Sequence, residues 1–131
     1  MGRPSAGLLV FAETTGRFLL LRRSAYVNNP GFWSCPAGRI DRGEAPIDAA
    51  VREFYEEAGY AAGKRGMTVD PVALLDPGKR RRFFYFRGLV PTQFVPRLNW
   101  ESDGWGWFYA NDLPKPMHPG MVRTLPLLGT F

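Results

Sequence analysis

The stretch from Pro46 to Gly59 constrains this chain more than any other. Ile47, Val51, Phe54 and Ala58 recur at spacings of four, three and four, which lines one face of a helix. Pro46 suits a first helical residue, Asp48 falls in the first turn, and Gly59 supplies a left-handed stop. Each residue advances about 100° around a helix, so Glu53, Glu56 and Glu57 share one arc beside the apolar stripe. Like charges three and four residues apart cost about 0.2–0.5 kcal/mol per pair. The C-terminal half of a helix also disfavours anions. A turn that breaks its local rules needs compensation from elsewhere. A hard divalent cation bound through oxygen would provide it. The alternative is a solvated acidic face in which Arg52 pairs with Glu56 four residues on.

The rest of the chain alternates strands and turns. Gly7–Ala12 reads as a buried strand, Thr14–Gly16 as a turn, and Phe18–Leu21 as a second strand forming a hairpin with the first. Asn28-Asn29-Pro30-Gly31 signals a loop. Phe32–Cys35 predicts a short strand stopped by Pro36-Ala37-Gly38. Val69–Leu75 predicts another strand, Asp76-Pro77-Gly78 a turn, Arg82–Val90 a long aromatic strand and Trp107–Tyr109 a short one. Asn111–Pro114 reads as a turn or brief helical piece, and Gly120–Leu128 as a last helix interrupted at Pro126. This order implies an α+β fold, an α/β/α sandwich with a mixed β-sheet flanked by helices. At 131 residues, the chain is expected to be a single domain over positions 1–131.

Composition removes several function classes. Cys35 is the only cysteine, so no intrachain disulfide forms, and a reducing, cytoplasmic setting suits the chain. His118 is also alone, which disfavours a histidine-based metal site or a Ser-His-Asp hydrolase. No apolar run approaches the length of a membrane span. Arg3 followed by Ala6–Ala12 imitates a secretory signal faintly, but the run meets Glu13 at once and reads better as a strand. The net charge of +5 suits polyanionic partners: phosphates, nucleic acid or an acidic membrane surface.

The loop before the helix narrows the reading. It runs Gly38-Arg39-Ile40-Asp41-Arg42-Gly43-Glu44 and, after seven residues, continues Arg52-Glu53-Phe54-Tyr55-Glu56-Glu57-Ala58-Gly59-Tyr60. This resembles the signature of the Nudix hydrolases, of MutT type: Gly, five residues, Glu, seven residues, Arg-Glu, an aliphatic, any residue, Glu-Glu, any residue, Gly, an aliphatic. Every fixed polar and glycine position matches. The aliphatic slots hold the bulkier Phe54 and Tyr60, which call for local repacking, and Ala37 stands where many members carry glycine.

The resemblance implies a Nudix fold and cleavage of the pyrophosphate in a nucleoside diphosphate linked to another group, by water attack at phosphorus. It implies magnesium, replaceable by manganese, held by Glu53, Glu56 and Glu57 with the Gly38 carbonyl as a further oxygen. Arg52 would orient Glu53, while Glu44 would brace the loop and Gly59 would end the helix. The general base stays open among Glu53, Glu56 and Glu101, a loop glutamate near the Trp107 strand, with Asp103 in reserve; Glu101 is also a candidate ligand. Arg23, ahead of Arg22, is expected at the substrate phosphates. In Lys79-Arg80-Arg81-Arg82 and the aromatic run after it, three readings compete: core packing beside a solvated turn, substrate contact, and single-stranded nucleic acid. Arg82, Tyr85, Trp105 and Asn111 are candidate substrate contacts.

The leading expectation is a small-nucleotide pyrophosphohydrolase acting on nucleoside triphosphates, oxidised ones included. Nucleic acid and membrane are not expected as partners, and a homodimer is left open. The rivals are a catalytically silent module that binds nucleotide or RNA, and a hydrolase of ADP-ribose, nucleotide sugars or dinucleoside polyphosphates.

Overall fold

The computed structural model describes residues 3–60, 66–79 and 82–128. Its centre is β1 (Ser5–Ala12), which runs parallel to β7 (Phe83–Val90) in unbroken register from Ser5 opposite Phe83 to Ala12 opposite Val90. The other edge of β1 is shared. β2 (Phe18–Arg23) meets it where Phe11 faces Phe18, and β4 (Ala37–Arg39) pairs antiparallel with Ser5–Gly7. Beyond the turn β2 therefore diverges from β1. It pairs instead with β3 (Trp33–Ser34) and, along its whole length, with β8 (Ser102–Phe108). The predicted hairpin exists only at its turn end, and the sheet opens where β3 and β4 enter.

The sequence of β1 explains why it sits in the middle. A strand covered on both faces reads as a continuous apolar run rather than an alternating one. Leu8 and Val10 point into a core with Leu19, Leu21, Phe86 and helix α1 (Pro46–Ala58). Leu9 and Phe11 point the other way, into a core with Phe18, Leu20, Tyr85 and Met121 of helix α2 (Pro119–Thr124). One helix on each face of a mixed sheet is the sandwich expected.

α1 has the predicted bounds. Pro46 occupies its first turn, and Gly59 caps it in the left-handed region (φ 70°), with its N–H donating to the Tyr55 carbonyl. The two bulky residues in the aliphatic slots are repacked together. Phe54 and Tyr60 meet edge to face at 6.3 Å, and both contact Phe94, which stacks on Tyr60 at 4.3 Å and meets the Trp107 ring at 5.2 Å.

Several boundaries differ from the sequence reading, each for a local reason. The expected strand Val69–Leu75 is two short ones, β5 (Thr68–Val69) and β6 (Leu74–Leu75). Pro71 lacks a donor, and the Asp70 carboxylate accepts the Val72 N–H, turning the chain between them. Ala37 and Gly38 belong to a strand, with Pro36 marking the break between β3 and β4. β8 begins at Ser102 rather than Trp107, because Gly104 and Gly106 pair with Arg22 and Leu20 despite their poor strand propensity. The last helix stops at Thr124, and Leu125–Leu128 continues as a 3-10 turn containing Pro126. Arg80 and Arg81 of the basic run lie outside the described residues. Among the described residues no helix is long and apolar enough to cross a membrane.

Candidate active site

Arg52 organises the loop that precedes α1. Its Nε and Nη2 donate to the two Glu44 carboxylate oxygens at 2.8 and 3.0 Å, and Nη2 also donates to the Arg39 carbonyl at 3.0 Å. Its Nη1 donates to Glu53 at 3.0 Å and to Glu56 at 3.3 Å. Glu44 in turn accepts the Asp41 N–H at 3.0 Å, closing the loop on itself. The Arg52 hydrogen bonds, and then the Asp41 N–H, hold the Glu44 carboxyl down at about 2. Glu44 is thus tied to the helix through Arg52, which also makes the Arg52–Glu56 pair of the alternative reading. One guanidinium does both.

The acidic arc is buried to different depths. Glu53 and Glu57 are only 8% and 6% exposed, whereas Glu56 is exposed. Glu57 takes a long hydrogen bond from the Ala37 N–H at 3.4 Å, and its second oxygen, Oε2, is buried without a protein partner. Burial pushes the Glu57 carboxyl well above the usual range, helped by its hydrogen bond with Glu53 and by the charges of Glu101 and Glu53. Glu101 is raised too, first by burial and then by Glu53. Gly38 lies flat against this group, and a Cβ there would overlap the Glu53 carboxylate. Glycine is the residue that fits.

A buried carboxylate oxygen with no donor is costly unless something else meets it. The local donor set consists of hard oxygens: three glutamates on one helix, Glu101 opposite them and the backbone at Gly38. This set suits a divalent cation of the magnesium type. Among the described residues no three acidic, cysteine or histidine groups already close around one point, and Glu53 and Glu57 lean on each other instead.

All of this donor set except the buried Glu57 lines an open cleft of about 850 Å³. Gly38, Glu53, Glu56 and Glu101 line it, as do Arg23 and Arg82, all anticipated from the sequence. Arg3, Arg39, Asn28, Asn29, Phe83 and His118 line it as well and were not anticipated. Asn28 and Asn29 could be read only as loop formers; Asn29 has a positive φ of 54°. Phe83 shares a face with Tyr85 two residues along, so the aromatic alternation was a usable signal that pointed one step too far.

Other candidates lie elsewhere. Arg22 turns away from the cleft and pairs with Asp103 at 2.7 Å, because neighbouring strand residues point to opposite faces. Asp103, the reserve base, is held in that pair and does not line the cleft. Tyr85 is buried behind Phe83, ring on ring at 4.4 Å, and its hydroxyl belongs to the second core. Trp105 on β8 and Asn111 in the following turn are both exposed outside the cleft.

Cys35 is buried beside Glu57. Burial, and then the neighbouring Glu57 charge, push its thiol far above the usual range. The folded protein is expected to resist a chromogenic disulfide reagent over an hour and to titrate one thiol after denaturation. Rapid labelling of the native protein would contradict this placement.

Comparison with known proteins agrees with this arrangement. The NUDIX domain family matches residues 1–128. An RNA pyrophosphohydrolase from Agrobacterium fabrum is 43% identical, over 89% of this chain and 83% of its own length. The crystal structure of the Nudix hydrolase RenU from M. smegmatis superposes with a TM-score of 0.76 at 26% identity, covering 96% of this chain and 83% of that one. A C. elegans Ap4A hydrolase superposes with a TM-score of 0.67 at 28% identity, covering 82% and 81%. Members of this family generally use divalent metals. With the complete signature placed on one loop and one helix, the chain belongs to the Nudix hydrolase family and is a pyrophosphohydrolase.

Proposed function

We propose that this enzyme removes pyrophosphate from the triphosphorylated 5′ end of RNA, in a hydrolysis that depends on magnesium. One observation carries the reading: Glu53, Glu56 and Glu101, with the buried and under-satisfied Glu57 on the same helix turn, share a cleft that Arg3, Arg23, Arg39 and Arg82 also line. A triphosphate needs both cation-mediated neutralisation and guanidinium contacts, and this juxtaposition offers the two together. The cleft has the volume of a small-ligand site and opens to the surface, so a polymer can enter by its end. Likeness to an RNA pyrophosphohydrolase over most of the chain favours RNA over the free nucleotide expected earlier. The earlier expectation against nucleic acid is accordingly given up.

Glu53, Glu56 and Glu57 would hold the cation, with the Gly38 carbonyl and Glu101 as further oxygens. A divalent cation supplies neutralisation of phosphate charge and a more acidic water. The chain's own groups do the rest. Arg52 holds the Glu53 carboxylate in a fixed orientation through its 3.0 Å hydrogen bond. Arg23, Arg39 and Arg82 receive the phosphate oxygens. Glu101, across the cleft from the helix, takes a proton from water as its oxygen bonds to phosphorus and the bond to departing pyrophosphate breaks.

Glu101→Gln is expected to lower kcat by about a hundredfold or more with little change in KM. Steady-state kinetics checks this; an unchanged kcat would pass the base role to Glu53 or Glu56. The whole reading is tested on a 5′-triphosphorylated oligonucleotide beside nucleoside triphosphates, oxidised ones included, ADP-ribose, nucleotide sugars and dinucleoside polyphosphates. The expected products are 5′-monophosphorylated RNA and pyrophosphate, identified by mass spectrometry and lost with chelator. Turnover of free nucleotides with the oligonucleotide untouched would overturn the choice of RNA.

A further inference from the structure

Two aromatic side chains stand out from segments that border the cleft. Tyr26 is 81% exposed and Trp100 65%, the highest values among the described aromatic residues. Scattered exposed aromatics need no explanation, but these two are held by a single latch. Tyr26 lies in the loop after β2 and Trp100 in the turn before β8. Ser24, buried between them, joins the two: its N–H donates to the Glu101 carbonyl at 2.9 Å, its hydroxyl donates to the Trp100 carbonyl at 2.9 Å, and its Oγ accepts the Tyr26 N–H at 3.3 Å. Asn99 fixes the same turn by accepting the Glu101 N–H at 3.0 Å. The two segments are also walls of the cleft, through Arg23, Asn28, Asn29 and Glu101. Both aromatics thus sit on segments that wall the cleft, while neither lines it.

We propose that Tyr26 and Trp100 form a stacking rim for the unpaired nucleotides that follow the triphosphorylated 5′ end, an inference that rests on the RNA substrate proposed above. The cleft has room for a triphosphate and its first nucleotide, so the remainder of a polymer must leave across its border. Every base presents a π-face, and exposed tyrosine and tryptophan rings beside a basic groove are the usual means of holding single strands without reading sequence. The charge agrees: the chain carries a net +5, and four arginines line the adjoining cleft. Asn28 and Asn29, on the same loop as Tyr26, line the cleft with polar groups suited to ribose and phosphate rather than to an apolar protein face.

The test uses the full chain and triphosphorylated oligonucleotides of two to ten nucleotides. In the unsubstituted enzyme KM is expected to fall about tenfold or more as the RNA lengthens. In Tyr26→Ala/Trp100→Ala this advantage of length should vanish, and Trp100→Phe, which keeps a ring, should restore most of it. A merely structural effect would raise KM equally at every length. A second readout needs no turnover: single-stranded RNA with a 5′-hydroxyl should quench tryptophan fluorescence, and the quench should be lost in Trp100→Phe. Cleavage independent of length, with no quench assignable to Trp100, would overturn the rim and leave the RNA-end activity standing. Binding that depends on Trp100 without cleavage of any triphosphorylated RNA would uphold the rim and overturn that activity.

Discussion

Glu57→Gln is expected to lower kcat by at least about a hundredfold while the metal-free protein becomes slightly more stable. The two effects share one cause. The Glu57 carboxyl is buried, one of its oxygens has no protein partner, and it crowds Glu53. Without a cation, an acid in that position costs stability, because its charged form is neither solvated nor paired. Glutamine fills the same volume uncharged and removes the repulsion, but it also weakens the oxygen set that a divalent cation needs. Glu56→Gln should lose activity similarly yet gain less stability, since Glu56 is exposed and already paired to Arg52. Thermal unfolding in chelator, compared with kcat in magnesium, checks both halves. A variant that keeps most of its turnover would remove Glu57 from the site, and one that unfolds at lower temperature in chelator would contradict the electrostatic account.

Phe54→Ala is expected to cost about 3–5 kcal/mol, the largest stability loss among single changes near the site. Phe54 is fully buried on α1 and touches Tyr60 and Phe94, which in turn reaches Trp107 on β8. The Trp107 indole N–H also donates to the Phe94 carbonyl at 2.9 Å, tying the 93–99 segment to the sheet. Truncating Phe54 therefore empties the middle of a cluster that spans helix, segment and strand. Phe54→Leu leaves a smaller void and should cost distinctly less. Denaturant unfolding gives both values, and a loss below about 1 kcal/mol for the alanine variant would mean that the cluster collapses onto the gap. Turnover should fall for the same reason, because α1 carries the glutamates on the face next to Phe54.

The helix, its caps and its acidic arc were legible before any coordinates. They depend on neighbours within one or two turns, where spacing decides geometry: Pro46 starts the helix, Gly59 ends it, and residues three and four apart share a face. The continuous apolar run of β1 announced a strand covered on both sides for an equally local reason. The resemblance implied that Glu44 braces the loop and that Arg52 orients Glu53, but not that one guanidinium would hold both carboxylates.

What the sequence could not decide was which distant segments border the glutamates. β8 begins in a stretch rich in glycine, and only pairing with β2 makes it a strand, with Glu101 just before it near the α1 glutamates. Arg22 and Arg23 are alike as residues, but the sheet sends one to Asp103 and the other to the cleft. The same long-range arrangement buries Tyr85 while leaving Phe83 at the cleft, and brings Arg3, Arg39, Asn28 and His118 there from four separate places. The acidic arc was thus written in short-range periodicity, and the chemistry expected of it came with the resemblance to the Nudix signature. The site's shape, its positive rim and the aromatic border beside Ser24 came from contacts between residues tens of positions apart, which no local pattern encodes.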